Sequence, residues 1–376
     1  MTAAGLIFSN IHDKSIPELT HRRTMASVPF GCRYRLIDFT LSNMVNAGIS
    51  KVGVITHNNY QSLMDHLGTG KDWDLARRSG GIKILPPFIT SYAGATAANL
   101  YTTRLEALMG VTNFISHCDE DYIVLSDCDV ICNLDLKDVI EKHIESGADI
   151  TFVAKRENLT EQRAENRVFF ETKDGRITRV YDMPKHVKGE YEVSLNIWVM
   201  GTKYLYNLLI DAMSKDLKSF NLDIVSKNTE RCNFRIYEHE GYYAQICSME
   251  EYFACNMEQL CGNIRNELFK IEDRPVYTKI RNSAPTLYMN NAKVNNSLIA
   301  DGCVIEGSVE NSIIFRGVKI GKNCVVKNSI LMQDTYVGEN VRLNCVITDK
   351  NVIIRDGNEL SGYKSKPFFI NKGAMV

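Results

Sequence analysis

The sequence predicts an α/β domain with a mostly parallel sheet and helices on both faces, followed by a left-handed parallel β-helix. Two changes of rhythm carry that prediction. Short β-branched runs alternate with longer amphipathic ones through the first two thirds, and after about residue 275 aliphatic residues recur every six positions. Length agrees, since 376 residues accommodate two domains of roughly 150 residues each.

In the first part, Gly5–Ser9, Lys51–Thr56, Ile82–Leu85, Tyr122–Ser126 and Asp149–Ala154 read as strands. Between them, Phe39–Ala47, Gln61–Leu67, Asn99–Met109 and Leu136–Ser146 have helical spacing. Such alternation builds a parallel sheet covered on both faces. Ligands of open α/β sheets bind beyond the carboxyl ends of the strands. The loops to examine are therefore Ser9–Thr24, Pro86–Ala98 and Asp127–Asn133.

In the second part the six-residue series runs through Ile299 and Ile305, then Ile314, Ile320 and Val326, then Leu331, Val337 and Leu343, then Ile347 and Ile353. Each of these residues is expected to point into a triangular prism. Gly and Asn nearby, as in Ile320-Gly321-Lys322-Asn323, suit the corners because both tolerate positive φ. A sandwich would need a period of two instead. Because the end of a solenoid needs covering, the β-helix is expected to pack on the first domain and to carry a subunit interface.

Basic and acidic residues balance at 44 against 45, so no global field attracts nucleic acid or an anionic membrane. Charges interrupt every apolar run short of a membrane span, and the N-terminal run lacks the basic start of a signal peptide. The 11 cysteines form no CxxC pair. They read as free thiols of a reducing, cytoplasmic protein.

The segment Val28-Pro29-Phe30-Gly31-Cys32-Arg33-Tyr34-Arg35-Leu36-Ile37-Asp38-Phe39-Thr40-Leu41-Ser42-Asn43 closely resembles the V-P-F-G-G-K-Y-R-I-I-D-F-x-L-S-N block of bacterial ADP-glucose pyrophosphorylases, the glucose-1-phosphate adenylyltransferases. Asn46-Ala47-Gly48-Ile49 and Gly241-Tyr242-Tyr243 extend the match. The resemblance implies a Rossmann-like, GT-A-like nucleotidyltransferase domain over residues 1–270 and a hexapeptide β-helix over 271–376. It also implies Mg²⁺-assisted transfer of an adenylyl group from ATP to glucose 1-phosphate, in glycogen biosynthesis.

The chain departs from that family where phosphate and metal are handled. G-G-x-G-x-R-L-x-P-L-T is replaced by Asn10-Ile11-His12-Asp13-Lys14-Ser15-Ile16-Pro17-Glu18-Leu19-Thr20, so Asn10, Ile11, Asp13 and Ser15 stand where three glycines and an arginine are expected. Met25 takes the place of a lysine, and Gly94-Ala95-Thr96-Ala97-Ala98 lacks the family's carboxylate. Of two metal-binding aspartates, Asp129 remains as a weak residual ligand and the other position is Gln245, a poor ligand for Mg²⁺. Asp127 could compensate in part. Ligand candidates left by the resemblance are Tyr92, Gly94, Asp129, Asp182, Lys185 and Ser194, with Asn196 in place of a glycine.

Arg22 and Arg23, with Arg33 and Arg35, are candidates for an effector phosphate, the latter two as a guanidinium fork. The pattern resembles the non-catalytic, GlgD-type branch of the family. That implies a regulatory subunit that binds no Mg²⁺ tightly, assembles as a hetero- or homotetramer with a catalytic GlgC-type subunit, and senses a sugar phosphate or nucleotide. The alternative is a working nucleotidyltransferase rebuilt around Lys14, Arg22, Arg23, Asp127 and Asp129. Acyl transfer on the β-helix would need a base, and no histidine lies beyond His239.

Overall fold

The computed structural model describes residues 2–87, 101–159, 167–182, 184 and 188–376. Its main elements, with short helical turns between them, begin with β1 (Ala3–Phe8), α1 (Leu36–Asn46), β2 (Lys51–Ile55), α2 (Gln61–Leu67), β3 (Gly81–Leu85), α3 (Arg104–Met109) and β4 (Tyr122–Asp127). There follow β5 (Val130–Cys132), α4 (Leu136–Ser146), β6 (Ile150–Leu159), β7 (Val168–Lys173), β8 (Arg176–Asp182) and β9 (Gly189–Gly201). Then come α5 (Thr202–Ser214), β10 (Phe234–Glu238), β11 (Tyr243–Gln245), α6 (Met249–Glu258) and α7 (Gly262–Phe269).

A nine-stranded sheet runs β3-β2-β1-β4-β9-β6-β10-β8-β7. From β3 to β4 it is parallel. Beyond β4 it is mixed, because β9 runs antiparallel to both β4 and β6 while β10 is parallel to β6. A break in register between Ser194 and Ile197 gives β9 a bulge, with Asn196 at φ 55°. Bulges of this kind re-aim a side chain. Leu105, Leu108, Phe152, Trp198 and Leu205 fill one face of the sheet, and Ile37, Leu41, Leu63, Val139 and Val199 the other.

Helix ends follow their caps. Helices α2 and α4 have the predicted bounds, and α4 starts where Asp135 accepts from Asp138 N at 3.1 Å. Helix α1 starts three residues earlier than expected, since the Asp38 carboxylate accepts from Arg35 N at 3.0 Å and closes the first turn there. Helix α3 starts at Arg104, with the described residues 101–103 outside it and Asn99 and Leu100 of the expected helix outside the described residues: Thr103 accepts from Glu106 N at 3.2 Å, and Glu106 accepts from Thr103 N at 3.1 Å. This reciprocal box fixes the boundary.

Residues from Leu287 onward wind into three five-stranded parallel sheets. Ile305, Ile314, Ile320, Val326, Leu331, Val337 and Leu343 line the prism, with Ile299 partly buried against them. Two assignments fail in the last coil: Ile347 faces outward into the first domain, and Ile353 faces solvent. Thr348 and Ile354 stand inside instead, each 17 residues after the inward residue of the coil before, Leu331 and Val337, whereas Ile347 and Ile353 lie only 16 after them. The three outer faces differ. Ile313, Ile330 and Ile347 pack on Met25, Val28, Phe30 and Tyr252 of the α/β part. A second face is polar, with Glu310, Lys327, Asn344 and Ser361 in register. The third presents Leu287, Val304, Lys319, Tyr336 and Ile353 in one row. All eleven cysteines are free thiols. No described helix is long and apolar enough to cross a membrane.

Candidate functional site

Strand β1 ends at the segment that resembles the family's glycine loop, and its side chains staple it shut. Asn10 Oδ1 accepts from Ser9 Oγ at 2.7 Å, Thr56 Oγ1 at 2.9 Å and His57 N at 3.1 Å. Asn10 Nδ2 donates to Asp13 Oδ2 at 2.6 Å and to Asn58 O at 3.2 Å. Asp13 Oδ1 accepts from Met25 N at 2.7 Å, tying this segment to the next turn. Burial raises the Asp13 pKa to about 6 against the pull of these hydrogen bonds. A glycine segment would leave its N–H groups open to an anion. Here three side chains spend their polar atoms on one another.

Next to this loop, the end of β4 presents Asp127 and Asp129, both buried. Arg104, on the first turn of α3, reaches Asp127 Oδ2 through Nε at 2.9 Å and also through Nη2. His12 Nε2 lies 2.6 Å from Asp127 Oδ2 and 3.5 Å from Asp129 Oδ2. Asp129 Oδ2 accepts from Gln245 Nε2 at 2.8 Å and from Asn196 Nδ2 at 3.2 Å. The β9 bulge aims Asn196, and pairing of β5 with β11 sets Gln245 opposite Val130. Burial raises the Asp127 pKa, but Arg104 and His12 outweigh it and the net shift is downward. Burial lowers that of His12, Asp129 and Asp127 outweigh it, and the net shift is upward.

Three of these residues, His12, Asp127 and Asp129, lie close enough to hold one metal ion. The donor set does not suit Mg²⁺, which requires near-octahedral oxygen at about 2.0–2.1 Å and keeps several waters. Asp127 is held by a guanidinium and an imidazole, and both Asp129 oxygens lie within 3.4 Å of amide nitrogen. Among the described residues, the one buried oxygen of the group with no hydrogen-bond partner is the neutral Gln245 Oε1. Beside the cluster lies a cleft of about 260 Å³, lined in part by Ile11, Lys14, Ser15, Arg104, Asp182 and Asn221. Burial raises the Asp182 pKa, with Arg104 opposing.

A second polar cluster lies where the α/β part meets the β-helix. Arg23 is 2% exposed, its Nη2 holds both Asp349 oxygens at 2.7 Å, and its Nη1 has no hydrogen-bond partner among the described residues. Arg35 donates to Ser62 O at 2.6 Å and Ser62 Oγ at 3.0 Å. Burial lowers Arg35 to about 10, with Asp38 opposing and Arg23 and Arg281 adding to the shift. Burial, then Arg35 and Arg23, push Lys350 down to about 6. Arg22, His21, Asp349 and Lys372 border a neighbouring cleft of about 320 Å³.

The expected fork of Arg33 and Arg35 does not form. Arg35 is buried on Ser62, while Arg33 is exposed over the Tyr34 ring, 5.8 Å from its centroid. Tyr92, Gly94 and Lys185 lie outside the described residues. Ser194 is buried and accepts from Asn196 N at 3.1 Å. Sequence reasoning missed His12 and Arg104 as members of the site. Arg104 could have been found from the Thr103–Glu106 capping signature, which places it at the mouth of the sheet.

A strand-end carboxylate pair beside a phosphate-side loop, on an α/β sheet backed by a hexapeptide coil, defines a nucleotidyl transferase architecture. The chain belongs to the nucleotidyl transferase family, which matches residues 16–260, and a GlmU-like C-terminal hexapeptide family matches residues 285–366. It is similar to the glycogen biosynthesis protein GlgD of Bacillus subtilis (strain 168), 35% identical over 373 residues, 99% of this chain and 96% of the relative. The protein of the same name from Geobacillus stearothermophilus is 34% identical, over 99% of this chain and 96% of its own. A glucose-1-phosphate adenylyltransferase of Pseudothermotoga lettingae is 34% identical, over 85% of this chain and 75% of its own.

Proposed function

We propose that this chain is a regulatory subunit of an ADP-glucose pyrophosphorylase in glycogen biosynthesis. It turns over little or no ATP and glucose 1-phosphate itself and modulates a catalytic, GlgC-type subunit in a mixed tetramer. The observation that carries the reading is the Ser9–Asp13 staple. Transfer of an adenylyl group needs preorganised donors around the triphosphate and its leaving pyrophosphate. Asn10 and Asp13 instead fill the loop with side chains bonded to each other, and Asp13 adds a carboxylate. Similarity to GlgD proteins over nearly the whole of both chains supports the same reading.

The rebuilt-site alternative asks Arg23, Asp127 and Asp129 to serve a substrate. Arg23 is committed to Asp349, Asp127 to Arg104 and His12, and Asp129 to Gln245 and Asn196. In the regulatory reading, Arg22 and Lys350 receive a phosphorylated effector at the junction, the buried Arg23 and Arg35 adding positive charge behind them, and Lys350 regains its proton as the anion arrives. Binding there would bias how the β-helix sits on the α/β part, and hence the partner. The exposed row Leu287, Tyr336 and Ile353 suits contact with the catalytic subunit.

Pyrophosphate release from ATP and glucose 1-phosphate tests the proposal, with this chain alone and mixed with a catalytic subunit. Negligible release alone, with altered rate or affinity in the mixture, is the expected result. Robust turnover by the chain alone would overturn it.

A further inference from the structure

Two buried carboxylates side by side need positive charge or several donors, since an uncompensated buried charge is strongly destabilising. In the cleft four side chains supply this, from four separate stretches of chain: His12 after β1, Arg104 on α3, Asn196 at the β9 bulge and Gln245 on β11. Arg104 is itself locked in place. Its guanidinium carbon lies 5.4 Å from the centroid of the Trp198 ring, and Trp198 stacks on Phe220 at 4.7 Å and 13°. That stack leaves the guanidinium edge directed at Asp127, where Nε bonds at 2.9 Å. Asp129, which could still bind a metal weakly, is covered by the amides of Gln245 and Asn196 at 2.8 and 3.2 Å.

We infer that Arg104, assisted by His12, is a built-in cation occupying the place a divalent metal would take at Asp127 and Asp129. The carboxylates are thereby neutralised by the protein alone, and the cleft needs no metal for its structure. The inference does not depend on the regulatory reading. It concerns what neutralises two carboxylates, and it holds whether or not the chain modulates a partner. It also separates two kinds of loss. Replacement of loop glycines removes a phosphate cradle, whereas a guanidinium at Asp127 repels the ion that would otherwise enter. Substituting Asp for Gln245 alone would therefore not create a metal site, because the cation remains.

The test uses the full chain and Mn²⁺, a spectroscopic substitute for Mg²⁺, with Zn²⁺ in parallel because one candidate ligand is a histidine. Free Mn²⁺ is read by electron paramagnetic resonance, bound Zn²⁺ by equilibrium dialysis, and melting temperature by calorimetry with and without EDTA. The wild-type chain takes up neither ion at millimolar concentration, and EDTA leaves its melting temperature unchanged. Arg104→Gln melts lower, takes up one Mn²⁺ per chain and regains melting temperature with it. Arg104→Lys keeps the charge and stays metal-free. Adding Asp129→Asn to Arg104→Gln abolishes the uptake.

If Arg104→Gln does not fold, adding Asp127→Asn, which removes the carboxylate left without its cation, should restore folding. Uptake of Mn²⁺ or Zn²⁺ by the wild-type chain, lost in Asp129→Asn, would overturn the inference. So would an Arg104→Gln that folds, melts like the wild type and binds no metal, or one that stays unfolded when Asp127→Asn is added.

Discussion

The β-helix and the mouth of the α/β sheet both order polar side chains, and they do so by opposite means. The coil stacks like on like. Asn328 donates to Asn344 at 3.0 Å, Asn323 to Asn340 at 3.2 Å, and Ser312 Oγ and Ser329 Oγ accept successive backbone N–H groups at 3.1 and 3.2 Å. The mouth joins unlike groups from distant segments: His12, Arg104, Asp127, Asp129, Asn196 and Gln245. A ladder can lose one rung because the coils above and below still define the corner. A charge network cannot, because the loss of one member leaves its buried partner unpaired. Redundancy belongs to the coil and interdependence to the mouth.

The largest expected effect breaks the network at its permanent charge. Arg104→Met leaves Asp127 buried with His12 alone and costs about 3–5 kcal/mol in urea unfolding. A loss below about 1 kcal/mol would mean that surface-like exchange with water already supports the carboxylate, and the contrast between the regions would fail. Next comes the bridge between them. Asp349→Asn removes the negative partner of Arg23, which is 2% exposed, while keeping the shape. The loss of a charged hydrogen-bonded contact there costs roughly 1.5–3 kcal/mol, read as a lower urea midpoint.

The same division explains how much could be read in advance. The prism residues from Ile305 to Leu343 announce themselves by period, since each repeat meets the same environment. Ile347 and Ile353 were misplaced because the inward position after Leu343 is the polar Thr348, and the aliphatic Ile347 beside it mimics the pattern one residue early. Helices α2 and α4 were visible through local spacing and caps, which act within one turn. At the site, changes at Asn10, Asp13 and Gln245 were readable as departures from a resembling pattern. What replaced the lost chemistry was not readable, because Arg104 meets Asp127 across 23 residues and His12 across 115. The fork of Arg33 and Arg35 failed for a related reason. Spacing put them on one side of a strand, but Ser62 drew Arg35 inward.

The junction adds a pH dependence of smaller size. Folded Lys350 releases its proton near pH 6, whereas an unfolded lysine holds it to about 10.5. The native state therefore binds fewer protons over that window, and this group's contribution to stability rises with pH and is lost as pH falls toward 6. A bound anion reverses the balance by favouring the charged ammonium. Sulfate, which keeps its charge across the range, should bind more weakly as pH rises through 6, by at most about tenfold per pH unit. Calorimetric titration of the full chain measures it, with proton uptake read from buffers of different ionisation enthalpy. Lys350→Met should flatten the dependence, while His21→Gln, at the border of the neighbouring cleft, should leave it in place. A wild-type affinity flat from pH 5.5 to 8 would remove Lys350 from the proposed effector site.

The smallest effect should come from a rung of the ladder. Asn328 sits at φ 45° and contributes one exposed amide bond to Asn344. Asn328→Gly keeps the corner accessible and gives up that bond, for a cost of about 0.5–1 kcal/mol. Asn328→Val also loses the bond and must hold a β-branched residue in the left-handed region, which adds roughly 1–2 kcal/mol. Urea unfolding of the two variants separates backbone strain from side-chain stacking. If glycine cost as much as valine, the Asn328 amide itself would hold the corner, and the coil would depend on single contacts much as the mouth does. A small glycine effect beside a clear valine effect would place the constraint in the backbone, where seventeen-residue repetition supplies the same geometry again in the next coil.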